Sequence, residues 1–385
     1  MDRGLYFSAI ALLLFSVVTV YSLSVFSTIY FDASRYIFIK KQLISAIIAI
    51  SIMSIVARMN AYNVFTPLGF LLFIGSFLAI ILMLFLPDTL VKAVLGAKRW
   101  IKFGGFSIAP TEFFKYGFVF FVSWSLARKV KEFNANNSIG KEFILTVPYF
   151  TLLIIAVGII AVGQKDMGQV VVLSGTLMAL FLLSGRSKKF FAIIGFMFVL
   201  LFIALIKFAP HRVARFKGWW AGIQDSIPFL PESMKIHDTT VPLHIINSTY
   251  AIENGGLFGQ GLGAGQYKLG FLSEVNTDFI MSGISEEIGF LGLFAFILLF
   301  MYILYRIFYI GSKLDDLSER FFVYGVGITM FLSFIINAYG ISGLIPIKGI
   351  AVPLLSYGGS QLIATSLAIG MVLMLSKKVN VWVLS

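Results

Sequence analysis

The sequence predicts an all-α, polytopic integral membrane protein, and three observations carry that reading. Of its 385 residues, 59% are hydrophobic, and the mean hydropathy is +0.94. Only 12% are charged, where a soluble domain carries about 25%. Apolar runs recur along the whole chain at lengths near the ~20 residues that a helix needs to cross a bilayer. A membrane β-barrel would instead show short alternating segments, and the runs here are longer and unbroken.

That length criterion places about ten helices, near 5–29, 37–57, 64–86, 109–127, 146–162, 168–184, 190–208, 279–304, 320–338 and 360–376. The first run is too long for the apolar core of a signal peptide and lacks a convincing cleavage site, so it reads as an uncleaved first helix. The stretch 146–184 is one apolar run broken by "VGQKDMGQ". Polar residues between glycines make a turn, so two helices are expected there. The one long polar segment, 209–278, falls between the seventh and eighth helices. Its "GWW" places Trp219 and Trp220 where a membrane interface would suit them. Neither a repeat nor a low-complexity linker divides the chain, which reads as one membrane domain over 1–385.

An even number of crossings puts both termini on one side. Lysines and arginines divide evenly between the two faces of this arrangement, so positive-inside counting does not orient it. A basic outer face suits an anionic ligand. The plainer alternative is that Lys40, Lys41 and Lys92 flank helices and snorkel.

Several function classes drop out. The chain has no cysteine, which excludes disulfides, thiolate catalysis and iron–sulfur ligation. Its three histidines, His211, His237 and His244, show no zinc-ligand spacing, and no metal site is expected. The formal net charge of +12 comes without a long basic run, which favours membrane lipids or an anionic substrate over nucleic acid. "GQGLGA" (259–264) formally matches a dinucleotide fingerprint but follows no buried strand. No phosphate-binding P-loop is present.

Five stretches combine charge with glycine, proline or tryptophan at helix edges. They are "GAKRWIKFGGFSIAPTEFFK" (96–115), "GQKDMGQ" (163–169), "HRVARFKGWW" (211–220), "NTDFIMSGISEEIG" (276–289) and "PIKGIAVPLLSYGGSQ" (346–361). All five fall on one side of the ten-helix arrangement, and that convergence is the strongest physical signal in the chain. Lys98, Arg99, Arg212 and Arg215 suit a phosphate or diphosphate. Asp278 is the acid best placed to act as a base, since partial burial raises a carboxyl toward working pH. Each stretch also has a structural alternative. Asp278 could cap a helix, Lys98 and Arg99 could be solvated loop charges, and Glu112 and Lys115 could simply pair at i, i+3.

With those residues in hand, the chain resembles the shape, elongation, division and sporulation family, the FtsW/RodA/SpoVE proteins, over nearly its whole length. "GAKRWI" with "APTEFFK" is similar to the family block that places Trp100, Glu112 and Lys115. "QKDMGQ" is similar to its Q-P-D-x-G turn and places Asp166. "RVARF" is similar to its arginine-containing stretch. "NTDFIMSGISEEIGFLG" is similar to H-T-D-F-I…EE-x-G, placing Asp278, Glu286 and Glu287. "VPLLSYGGSQ" is similar to P-x-x-S-Y-G-G-S-S, placing Ser356 and Gly358. Asn276 stands where histidine is usual, Lys165 for proline, Thr111 for serine and Gln361 for the second serine. The stretch 255–280 is more similar to the division member than to the elongation member.

The resemblance implies about ten helices, cytoplasmic termini in a bacterial plasma membrane, and a large extracytoplasmic loop between helices seven and eight. It also implies polymerisation of lipid II into glycan strands on the outer face, at the division septum. The implied partners are a class B penicillin-binding protein, an FtsI-like transpeptidase, and other divisome proteins. Asp278 aligns with the family's essential acid. The expected chemistry is an inverting transfer in which Asp278 takes a proton from the acceptor hydroxyl. Lys98, Arg99, Arg212 and Arg215 then meet the departing diphosphate, helped in substrate binding by Trp100, Glu112, Lys115 and Asp166. Glu286, Glu287, Ser356 and Gly358 are expected to give structural support. A divalent cation (Mg or Mn) could share the diphosphate's charge, although no residue pattern calls for one. A lipid II flippase and a non-catalytic scaffold for the penicillin-binding protein are the alternatives.

Overall fold

A computed structural model describes residues 1–25, 34, 36–87, 89–91, 98–103, 106–130, 139–207, 210–224, 227, 229–236, 241–346 and 349–379. Among the described residues twelve α-helices follow in order: α1 Arg3–Leu23, α2 Ile37–Arg58, α3 Ala61–Leu82, α4 Pro110–Lys129, α5 Ile139–Gly158, α6 Met167–Leu183, α7 Lys188–Lys207, α8 Pro210–Ile223, α9 Leu243–Gly255, α10 Ile280–Lys313, α11 Leu317–Ile341 and α12 Gly359–Leu375. A two-stranded antiparallel hairpin, β1 Ile101–Phe103 with β2 Phe106–Ile108, precedes α4. Among the described residues, seven helices are long and apolar enough to cross a membrane. The protein is an α-helical, multi-pass membrane protein.

Local chemistry sets several helix starts. The Asp2 carboxylate accepts from the Leu5 amide at 2.8 Å and opens α1. Asn60 accepts from the Tyr62 amide at 3.0 Å and opens α3. Asp316 accepts from the Glu319 amide at 3.0 Å and opens α11. Each satisfies an amide that the first helical turn leaves without a partner. Pro110 takes the first position of α4, where its missing N–H costs nothing.

Two apolar clusters hold the bundle. The larger joins α1, α2, α10, α11 and α12 with parts of α3 and α4. The smaller is rich in phenylalanine and joins α4, α5, α6 and the start of α7, including Phe114, Phe118, Phe181 and Phe190. α4 takes part in both and packs against α3, α6, α11 and α12. It carries Glu112 and Lys115, and it is not one of the seven apolar spans. A helix surrounded by protein can carry charge that a lipid-facing one cannot.

The sequence expectation needs correction in three places. The break in 146–184 is present, but it begins with a π-helical turn, Ile159–Gly163, before the turn at 164–166. The eighth expected crossing runs on to Lys313, past 304. The segment 209–278 holds two helices, α8 and α9. α9 buries Ile245, Ser248, Ala251 and Gly255, a spacing of three or four residues, against α10. That periodicity was masked by the polar residues between them.

Candidate active site

Four of the five charged stretches meet at one end of the bundle, and hydrogen bonds join them. Arg99 donates from Nε to the Gln164 carbonyl and from Nη2 to the Lys165 carbonyl, each at 2.9 Å. Its Nε lies 4.0 Å from Asp166 Oδ2. Thr111 donates to Gln164 Oε1 at 2.6 Å, and Gln169 Nε2 donates to Glu112 Oε1 at 2.8 Å. Ser360 accepts from the Ala109 amide at 2.9 Å and donates to the Ser107 carbonyl at 3.2 Å. Ser356 donates to the Thr277 carbonyl at 2.7 Å. The hairpin and α4 start, the 164–169 turn, the 276–279 turn and the 349–361 segment therefore form one site.

The turn before α6 exists because the chain there cannot stay helical. Lys165 takes a left-handed φ of 52°, and the π-helical turn ahead of it shifts the register of the following residues. Asp166 then caps α6, accepting from the Gln169 amide at 3.3 Å. Burial pushes the Asp166 carboxyl above its ordinary value, and Arg99 opposes that shift. Glu112 and Lys115 form an ion pair at 2.8 Å, with the Lys115 side chain buried.

Asp278 lies two residues before α10 and is half-buried. Its Oδ2 stands over Gly349, 2.7 Å from where a Cβ would be. Burial, chiefly, pushes its pKa up to about 7; the like charges of Glu274 and Asp166 add to the rise, and Arg99 opposes it. A carboxyl in that range can take a proton near neutral pH and give it up again. Arg99 opposes the rise at both acids.

Glu286 and Glu287 stand apart from this constellation. Glu286 Oε1 accepts from the Gln266 amide at 2.6 Å and from Asn254 Nδ2 at 3.0 Å. Glu287 pairs with Lys268 at 2.6 Å. Both acids hold the segment between α9 and α10 against the first turns of α10. Gly358 sits at the N-cap of α12. Lys98 and Trp100 are half-buried beside Arg99, ahead of β1. Arg212 and Arg215 belong to α8, and their side chains lie outside the described residues. α8 is fastened to the site's end of the bundle by Trp219, whose Nε1 donates to the Gly343 carbonyl at 2.8 Å. Among the described residues, no three histidine or acidic side chains gather to hold a metal ion.

One residue of the site escaped the sequence reading. Asn337 of α11 donates from Nδ2 to the carbonyls of Asp278 and Ile350, each at 2.7 Å. A lone amide in the apolar run "FLSFIINAYG" was the available signal, since polar groups at that depth need partners.

Helices long and apolar enough to cross a membrane, with a half-buried acid and an arginine acting on it at one end of the bundle, define a multi-pass membrane protein with a polar, acid-bearing site. The family model of the FtsW/RodA/SpoVE cell cycle proteins matches residues 3–381. The chain belongs to that family. A Helicobacter pylori protein named as a probable peptidoglycan glycosyltransferase, FtsW, is 43% identical over 387 residues, covering 98% of each chain. A Trichlorobacter lovleyi protein of the same name is 31% identical over 376 residues, covering 97% of this chain and 93% of its own. The fold is similar to that of a chain in a peptidoglycan synthase complex solved for its coordination of polymerization and crosslinking. The TM-score is 0.72 at 20% identity, covering 98% of both chains. It is also similar to the rod shape determining protein RodA of Thermus thermophilus, with TM-score 0.65 at 21% identity, covering 98% of this chain and 97% of that one.

Proposed function

We propose that the protein is a peptidoglycan glycosyltransferase that polymerises lipid II on the outer face of the bacterial plasma membrane. Its family membership and the naming of its relatives support the activity. The observation that carries the mechanism is the placement of Asp278, half-buried at the entry of α10 with its carboxylate over Gly349, where burial chiefly pushes its pKa up to about 7.

In this reading Asp278 accepts the proton of the acceptor sugar's 4-hydroxyl as that oxygen attacks the anomeric carbon of the donor. The bond from that carbon to the lipid diphosphate breaks, and the diphosphate leaves with the electron pair. One in-line displacement converts an α-linked donor into a β-1,4 product, so no covalent enzyme intermediate is needed. Lys98 and Arg99, with Arg212 and Arg215 on α8, are proposed to meet the charge that builds on the diphosphate. Glu112, Lys115 and Asp166 are proposed to line and brace the same cavity, with Trp100 at its edge. Asp278 at the rim lets the lipid tails stay in the bilayer while the sugars reach the acid.

The similarity to a synthase-complex chain supports pairing with a class B penicillin-binding protein. Action at the division septum is proposed, with the FtsW naming of the relatives in its support. Both termini are proposed to face the cytoplasm. The buried Glu112–Lys115 pair favours a second reading, a lipid II flippase, because it carries charge inward from the rim. Proteoliposomes holding the chain and its penicillin-binding protein separate the two. Glycan strands from labelled lipid II support the transferase. Leaflet exchange without polymer supports the flippase and ends the proposal.

A further inference from the structure

The turn that carries Asp278 has three consecutive backbone carbonyls, and each accepts a hydrogen bond from another part of the chain. The Tyr357 amide donates to the Asn276 carbonyl at 2.8 Å. The Ser356 hydroxyl donates to the Thr277 carbonyl at 2.7 Å. Asn337 Nδ2 donates to the Asp278 carbonyl at 2.7 Å. The same Nδ2 donates to the Ile350 carbonyl at 2.7 Å, one residue after Gly349. Asn337 is 3% exposed.

The turn needs such a clamp. Glu274 takes a left-handed φ of 55°, and the amides of Thr277 and Phe279 both fold back on the Glu274 carbonyl, at 3.0 and 3.2 Å. Asp278 therefore precedes the regular ladder of α10 and gains no rigidity from it. Asn337 ties its backbone to the 349–357 segment. Gly349 leaves the space into which the carboxylate settles, with Oδ2 2.7 Å and Cγ 3.5 Å from its would-be Cβ.

We propose that Asn337 is a positioning residue for Asp278: by bridging the Asp278 and Ile350 carbonyls it fixes the distance between the acid and the Gly349 floor. This rests on the reading of Asp278 as the general base. The "SYGG" segment then serves as the clamp on the acid-bearing turn, and its serine and tyrosine are occupied with that turn's carbonyls.

The test uses the full chain, reconstituted with its penicillin-binding protein, and labelled lipid II. Asn337→Leu keeps the branched skeleton and heavy-atom count of the side chain and removes both donations. A base displaced by about 1 Å costs on the order of 100-fold. Asn337→Leu is therefore expected to lower kcat by about 10- to 100-fold, with KM for lipid II changed less than about twofold. Its acid limb in the pH–rate profile is expected to move, because the carboxyl changes its place relative to Glu274, Asp166 and Arg99, the charged groups that act on it. Gly349→Ala, which presses on the carboxylate from the other side, is expected to show the same pattern. In an Asp278→Asn background, Asn337→Leu is expected to cost nothing further. A folded Asn337→Leu protein with wild-type kcat and pH profile overturns the proposal. So does a loss of equal size in the Asp278→Asn background. Should Asn337→Leu not accumulate, Asn337→Ser, which keeps one donor, decides: an intermediate kcat supports the proposal and a wild-type one overturns it. Wild-type activity in Asp278→Asn itself would instead remove the base assignment, whatever Asn337 does.

Discussion

Lys268 and Glu287 form an ion pair at 2.6 Å with both side chains shut away from solvent, at 2% and 3% exposure. One residue lies in the segment between α9 and α10, the other inside α10. Ser22 of α1 completes the arrangement, donating to Glu287 Oε2 at 2.5 Å while its carbonyl accepts from Lys268 at 3.2 Å. A charge left alone in such a place costs far more than the pair contributes. Lys268→Met is expected to destabilise the protein by about 3–5 kcal/mol, with Lys268→Met/Glu287→Leu less harmful than either single change. Thermal unfolding in detergent checks this; a double variant as unstable as the sum of the singles would contradict it.

Asp278 gives the reaction its pH dependence. A general base works as the carboxylate, and this one has its pKa raised to about 7. Activity is therefore expected to be flat above that value and to fall tenfold per pH unit below it. Glu274→Gln removes a like charge that contributes to the rise. The acid limb is expected to shift to lower pH, leaving more activity near pH 6 than the wild type retains. A pH–rate profile of both proteins measures it.

Gly289 breaks α10 with φ 71° and ψ −175°, a conformation open essentially to glycine alone. The amides of Phe290 and Leu291 turn instead to the carbonyls of Gly256 and Leu257, at 2.8 and 3.1 Å. A Cβ at 289 would lie 2.3 Å from the Gly259 nitrogen. Gly289→Ala is expected to cost at least about 2–3 kcal/mol and to free the 256–261 segment. Limited proteolysis at that segment, compared with wild type, is the measurement.

Arg99 uses its planar fork to hold two adjacent carbonyls of the turn that ends in Asp166. A lysine keeps the charge and loses that geometry. Arg99→Lys is expected to lower kcat on the order of tenfold, where a purely electrostatic role would leave it nearly unchanged. Steady-state polymerisation rates separate the two roles.

The sequence made some of this legible and hid the rest for physical reasons. Long apolar runs announce themselves, so the crossings fall close to their expected places. Charged motifs at helix edges were visible too, and four of the five stretches meet in one site through contacts such as Arg99 with 164–165 and Ser356 with Thr277. α9 was hidden because its buried face is made of Ser248, Ala251 and Gly255 as well as Ile245, and small residues carry little hydropathy signal. Asn337 was hidden because its partners are backbone carbonyls from α10's entry and the 349–357 segment, distant in sequence. Arg99 reads from the sequence as a phosphate ligand or a solvated loop charge; its hold on the 164–166 turn depends on a left-handed Lys165 that no local pattern announces.

The proposed mechanism turns on Asp278 removing the acceptor's proton. The direct measurement is the rate of glycan formation from labelled lipid II by Asp278→Asn, reconstituted with the penicillin-binding protein and shown to be folded and to bind lipid II. A loss of at least about 100-fold in kcat with little change in lipid II binding is expected. Polymerisation at the wild-type rate would contradict it.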